Sequence, residues 1–313
     1  MAGKKPFRFG VVSNGAQSGQ EWVQKARRVQ ELGYSTLLLP DHFVEQVAIT
    51  PALMAAAIST ESLRVGSIVN CNDFRHPVLL AKEAATIDLL SNGRFELGIG
   101  AGWMRNEYEA LGISFDKADV RISRLEEALQ IVHQYFSDEP VNFTGNYYSV
   151  KGNGGLDNIP RSIQKPKPPI LVGGGGKRIL SIAAQYADII GIAIKTRADG
   201  AGPDFTDIAV SLRQKTDWIQ AAAGERFNDI ELNVLAVTAV VSEDAQSVAE
   251  QWAKQLSVPA EAFADSPYFL FGDENQLIEK LESFRERYGL TYFAIREPFF
   301  ESFAPIVKRL SGK

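Results

Sequence analysis

Short apolar runs alternate along this chain with longer segments whose apolar residues recur every three or four positions. Residues 7–12 predict a first strand, and residues 18–32 place Trp22, Ala26 and Val29 on one face of a helix that Gly33 stops. The second run, 36–39, is apolar nearly throughout rather than alternating, which marks a strand covered on both sides, as parallel strands beneath helices are. The rhythm repeats with a helix over 50–60, a strand over 64–69, a helix over 77–90, a strand over 95–100 and helices within 106–111 and 120–135. Residues 140–169 break it: VNFTGNYYSV alternates about a Gly-Asn turn and predicts a hairpin, and a Gly- and Pro-rich passage ending in KPKPP follows. Strands over 170–172, 189–194, 232–241 and 292–295 then alternate with helices over 177–186, 207–222, 245–256, 274–288 and 300–310. An irregular stretch covers 257–272.

Eight strand-then-helix units without a break point predict an α/β fold, a closed (β/α)8 TIM barrel, rather than an open doubly wound sheet. One domain is expected over residues 1–313, with 140–169 an insertion between the fourth and fifth units. Composition agrees with a large buried core, since 45% of the residues are hydrophobic and 23% charged. A net charge of −5 gives no reason to expect nucleic acid or an anionic membrane as partner. The single cysteine, Cys71, excludes an intrachain disulfide and a cysteine-built zinc site, and three scattered histidines at 42, 76 and 133 argue against a metal cluster. The lysines at the start precede no apolar leader and no run of about 18 apolar residues occurs, so a cytoplasmic location is expected.

In such a barrel the site lies at the carboxyl ends of the strands. That rule selects Ser13 and Asn14, Asp41 and His42, the segment from Ile68 to Asn72, Gly100 to Trp103, Gly173 to Gly176, Lys195 and Thr196, and Arg296 to Pro298. Gly100, Ala101 and Gly102 end the fourth strand in a side-chain-poor floor on which a flat ring can lie, or else form a plain turn needing positive φ. Gly173, Gly174, Gly175 and Gly176 bring backbone N–H groups to a helix start that can bind an anion, with Lys195 or Thr196 assisting; the alternative is a tight turn. The spacing fits neither a nucleotide P-loop nor a dinucleotide fingerprint. His42 is suited to proton transfer near neutral pH, with Asp41 as the partner that orients its ring; the alternative is a histidine that holds its loop by hydrogen bonds. Cys71 has no neighbouring base and reads as a packing residue.

Four segments, LLLPDHF, the block from LRVGSIVNCN to ALGISFD, PPILVGGGGKRIL and FGDENQLIEKLESFRERYGLTYFAI, resemble the bacterial luciferase-like flavin and deazaflavin oxidoreductases across most of the chain. Within that family they look most like the branch that uses coenzyme F420, a deazaflavin with a phosphate-linked polyglutamate tail; FMN is the alternative cofactor and an FMN-dependent monooxygenase the alternative activity. The resemblance implies hydride transfer between F420 and a small organic substrate, with His42 beside the reactive carbon. It implies a non-proline cis peptide within Ser67, Ile68, Val69 and Asn70 that supports the ring, and a homodimer, for which the apolar helix from Val78 to Leu90 offers a surface. Trp103 stands where sugar-phosphate dehydrogenases of this group place an acid–base glutamate, which speaks against sugar-phosphate oxidation. Trp103 and Asn14 are expected to line the substrate pocket, and Glu107 to favour a helix amino terminus.

Overall fold

The computed structural model describes residues 5–152, 160–209 and 212–313. Its centre is a closed barrel of eight parallel strands: β1 (Arg8–Val12), β2 (Thr36–Leu39), β3 (Arg64–Ser67), β4 (Phe95–Gly100), β5 (Ile170–Gly174), β6 (Ile189–Ile192), β7 (Glu231–Ala236) and β8 (Leu290–Arg296). Each pairs with its neighbour in sequence, and β8 closes the ring on β1 with Val12 opposite Arg296. β3 meets β4 at Val65 and Gly66, departs, and rejoins it as Asn70–Cys71 against Ile99 and Gly100.

The helices form where the periodicity places them. Ser18 caps the helix Gly19–Glu31 by accepting the Glu21 N–H, and Asp273 with Gln276 forms a reciprocal capping box at the start of Glu274–Tyr288. Three expectations change. The run 232–241 is two strands: β7 ends at Ala236, and Thr238–Val241 leaves the barrel to pair in parallel with Phe269–Gly272, inside the stretch expected to be irregular. That second strand pairs outside the barrel and so falls outside the eight-unit rhythm. The helix expected over 207–222 is a 3-10 turn, Phe205–Ala209, and a helix, Leu212–Ala223. β6 stops at Ile192, two residues short of the expected end, and the chain enters a loop after Ala193, whose N–H makes the last ladder bond to the Gly174 carbonyl.

The hairpin of the insertion is present as Asn142–Thr144 against Ser149–Lys151. The Glu127 carboxylate clamps its turn by accepting the N–H groups of Asn146, Tyr147 and Tyr148 at 2.7, 2.9 and 3.1 Å. Buried Asp88 latches the segment's far end, accepting from the Ser162 hydroxyl, the Gln164 N–H (3.0 Å) and the Gln164 amide (2.6 Å).

Inside the barrel Val12, Leu38, Leu171, Ile189, Tyr292 and Ala294 pack together, with Ile68, Val69 and Leu235 against them. Charge closes the opposite, amino-terminal end. Glu96, whose side chain is 2% exposed, takes Arg8 Nη1 at 2.5 Å and Arg64 Nε at 2.7 Å, while Arg8 also forks onto Glu231 and lies 4.0 Å over the Tyr292 ring. Among the described residues no helix is long and apolar enough to cross a membrane.

Candidate active site

The floor of the barrel mouth is built by the departure of β3. A cis Ile68–Val69 peptide lies within the segment where it was expected. Ser67 and Asn70, expected against a cofactor, have their polar side chains taken up by this bulge. The Ser67 hydroxyl donates to Gly98 O (2.9 Å) and accepts from Gly98 N (2.9 Å), and the Asn70 amide donates to both Ser67 Oγ (2.6 Å) and Gly98 O (2.9 Å). The Val69 side chain fills the hollow left by the glycines. A β-carbon on Gly100 would lie 2.6 Å from Val69 Cγ2, and one on Gly173 3.4 Å from Val69 Cγ1. Gly102 has φ +75°, and a β-carbon there would meet Tyr108 Oη at 1.9 Å and Cys71 Sγ at 2.7 Å. On the side where a β-carbon would stand, Gly100 and Gly102 are therefore backed by the protein's own Val69, Cys71 and Tyr108. These glycines lack a β-carbon because a neighbour's side chain occupies its place. Burial pushes the Cys71 thiol up to about 12, which removes it as a nucleophile and agrees with its reading as packing.

His42, on the loop after β2, does not bond to Asp41. Its Nδ1 faces Glu107 at 3.1 and 3.2 Å, and the same carboxylate accepts the Phe43 N–H at 2.8 Å. Glu107 is buried in the first turn of the short helix Arg105–Ala110, as its sequence position implied, and holds the histidine from there. Asp41 is turned away because Arg75 and a backbone amide claim it: Arg75 Nη1 lies 2.5 Å from Asp41 Oδ2, and Cys71 N donates to the same oxygen at 3.0 Å. Burial works against the Arg75 charge, and Asp41 more than offsets it, so the guanidinium is held above its usual range. Asp41 thus fixes the loop that carries His42. With Glu107 accepting the Nδ1 proton, Nε2 has no hydrogen-bond partner among the described residues. Trp103 stands edge-on to the imidazole, ring centroids 5.4 Å apart.

Across the mouth, the glycine run divides by position. Gly174 and Gly175 face the protein, with β-carbon positions 2.4 Å from Ile179 Cγ2 and 2.6 Å from Ala193 O respectively. Gly176 faces open space, with nothing within 4 Å of its β-carbon position, and is the N-cap of helix Lys177–Tyr186 without any side-chain capping bond. That amino terminus therefore presents uncapped N–H groups beside the exposed Lys177. Arg178 points elsewhere, onto Asp119 O and Ser123 Oγ. Thr196 bridges to Pro203, and the exposed Lys195 is placed through its backbone, donating to Asp207 at 2.8 Å. Asp207 in turn pairs with fully buried Lys215 at 2.5 Å, which donates to Ala193 O at 2.8 Å. Burial lowers the Lys215 pKa even against Asp207. This buried pair shapes the loop after β6 and left no sequence signal beyond two ordinary charges.

Asn14 is exposed at the end of β1. It borders a cavity of about 420 Å³ between residues 14–17, Glu21, Lys25, residues 45–47 and Glu297. The cavity flanks the His42–Trp103 pair and does not contain it.

A parallel barrel with a carboxylate-held histidine on one side of its mouth and an uncapped helix start on the other defines an α/β enzyme scaffold. The luciferase-like monooxygenase family model matches residues 5–291, and the chain belongs to that family. It is 31% identical over 192 residues to an F420-dependent glucose-6-phosphate dehydrogenase from Microbacterium testaceum, covering 58% of this chain and 55% of that one, so the match spans little more than half of that relative. It is 29% identical over 226 residues to an FMNH(2)-dependent dimethylsulfone monooxygenase from Pseudomonas fluorescens, covering 71% of this chain and 56% of the other. The fold matches the coenzyme F420-dependent tetrahydromethanopterin reductase of Methanopyrus kandleri with a TM-score of 0.75 at 17% identity, over 98% of both chains.

Proposed function

We propose that this protein transfers a hydride between coenzyme F420 and a small organic substrate at the carboxyl mouth of the barrel. The observation that carries the reading is the His42–Glu107 pair, with Nε2 unpartnered among the described residues and Trp103 against the ring. Bound deazaflavin supplies a two-electron hydride centre that handles oxygen poorly. The chain's own part is to hold and move the proton that accompanies the hydride. Glu107 accepts from Nδ1 and fixes the ring, so Nε2 is the atom that gives or takes the proton.

The anionic end of the cofactor fits the Gly176 cradle, with Lys177 and Lys195 nearby, because a β-carbon position there is empty and the helix start is uncapped. Gly174 is the wrong place to test this, since any side chain strikes Ile179. Gly176→Asp is expected to lower cofactor affinity at least roughly tenfold while leaving thermal stability equal or higher, because aspartate is itself a good N-cap. Fluorescence titration beside a melting curve checks both. Unchanged affinity removes the phosphate assignment.

The second reading, an FMN-dependent monooxygenase, draws on the dimethylsulfone relative. Fluorescence titration with F420 and with FMN separates the two, followed by anaerobic turnover of reduced F420 against enones, imines, aldehydes and alcohols. Binding of FMN alone, with oxygen consumed, would overturn the F420 reading.

A twofold pairing belongs to the same proposal. Ile58 at 75% exposure, with Leu79, Leu89 and Leu90, leaves apolar surface on the helices Ile49–Ile58 and Pro77–Leu90. Sedimentation at micromolar concentration is expected to give a dimer, and a monomer would remove this part.

A further inference from the structure

Arg296 closes β8 at the mouth and takes no part in the proton chemistry above. Phe293 and Ile295 pack outward among the helices while Tyr292 and Ala294 pack inside the barrel, so alternation carries Arg296 inward over the interior cluster. Its register partner Val12 belongs to that same interior, and two residues beyond Val12 stands the exposed Asn14. Among the described residues Arg296 makes no hydrogen bond and no ion pair. The carboxylate next to it, Glu297, is occupied by Lys25 and by the Ser13 hydroxyl at 2.5 Å. Desolvation alone lowers the Arg296 pKa, and no acid offsets it. Arg296 is exposed at the mouth, so an anion can reach its guanidinium, and no acid among the described residues competes for it.

We propose that Arg296, with the Asn14 amide beside it, anchors a carboxylate of the substrate, so that the substrate's reacting end reaches toward His42, with β1 alone between the strands that carry the two residues. The proposal rests on the barrel mouth being the site of reaction. The cofactor's anionic end is a different site, since β6 and β7 stand between the Gly176 cradle and β8. A planar monoanion matches the fork of a single guanidinium. A phosphate dianion would meet Glu21, Glu45 and Glu297 around the adjoining cavity, where Lys25 is already paired.

Calorimetric titration with benzoate, benzamide and phenyl phosphate tests this, on the protein alone and on the protein saturated with whichever of F420 or FMN it binds. Benzoate is expected to bind in roughly the millimolar range or tighter and benzamide at least about tenfold more weakly. Arg296→Gln should weaken benzoate by roughly 10- to 100-fold, Arg296→Lys should recover part of the loss, and neither should alter benzamide. Absence of benzoate binding, equal binding of benzoate and benzamide, or benzoate affinity indifferent to Arg296→Gln would overturn the assignment. So would tighter, Arg296-dependent binding of phenyl phosphate, or benzoate binding that Gly176→Asp removes and Arg296→Gln does not. Benzoate binding through Arg296 in a protein that takes neither cofactor would leave the anion site standing and bring down the hydride-transfer reading.

Discussion

Replacing His42 with alanine is expected to lower turnover by roughly 10²- to 10⁴-fold, the usual scale for losing a general acid or base, with cofactor affinity nearly unchanged. The separation of effects follows from place: His42 lies on the loop after β2 and the Gly176 cradle follows β5. Glu107→Gln should cost less, because an amide oxygen still accepts from Nδ1 and keeps the ring in place. Single-turnover oxidation of reduced F420 by an active member of the substrate panel, followed anaerobically, is the measurement. Near-normal turnover in the alanine variant would make His42 an orienting residue and move the proton to solvent.

Glu96→Ala is expected to destabilise the fold by about 3–5 kcal/mol, the scale for breaking a buried ion pair by removing one partner, since it strips Arg64 of its carboxylate and leaves Arg8 with Glu231 alone. The melting temperature should fall on the order of 10 °C. The pH dependence has a definite sign. Burial alone would raise the Glu96 carboxyl, but the two guanidiniums, Arg8 foremost, overcome burial and hold it below the usual glutamate range. Its contribution is complete above that range and is lost as pH falls through it toward the folded value. Melting curves across acid pH should therefore show a shallower acid limb in the alanine variant. An unchanged melting temperature at neutral pH would mean that the barrel end is held by packing alone.

The barrel was legible because its signals are local. Runs such as the one at 36–39 and the helix faces carrying Trp22, Ala26 and Val29 repeat in register with the fold, and the rule that sites lie at strand ends does the rest. Pairings between distant residues were not legible. Asp41 precedes His42 directly, yet adjacent residues diverge on a loop, and the partner of His42 is a glutamate 65 residues away whose place depends on how β4 enters its helix. The four consecutive glycines looked equivalent, and three dimensions separate the two pressed against the protein from Gly176, which is open. Phe269–Gly272 was missed for a different reason: it is as short and apolar as the run at 36–39, but it pairs with Thr238–Val241 outside the barrel and so falls outside the eight-unit rhythm.

The wedge of Val69 among glycines from two strands also limits how this sequence can drift. Enlarging residue 100 to alanine brings its β-carbon within 2.6 Å of a Val69 methyl, so the change becomes tolerable in company with a smaller residue 69. Positions 69 and 100 are therefore expected to covary among sequences that keep this floor, trading volume between them. Position 98 has no such exchange available, because a β-carbon there would lie 1.9 Å from the backbone oxygen of Ser67, which no side-chain replacement moves aside. In one wall of the mouth, then, one glycine is negotiable through its neighbour and another is fixed by main chain.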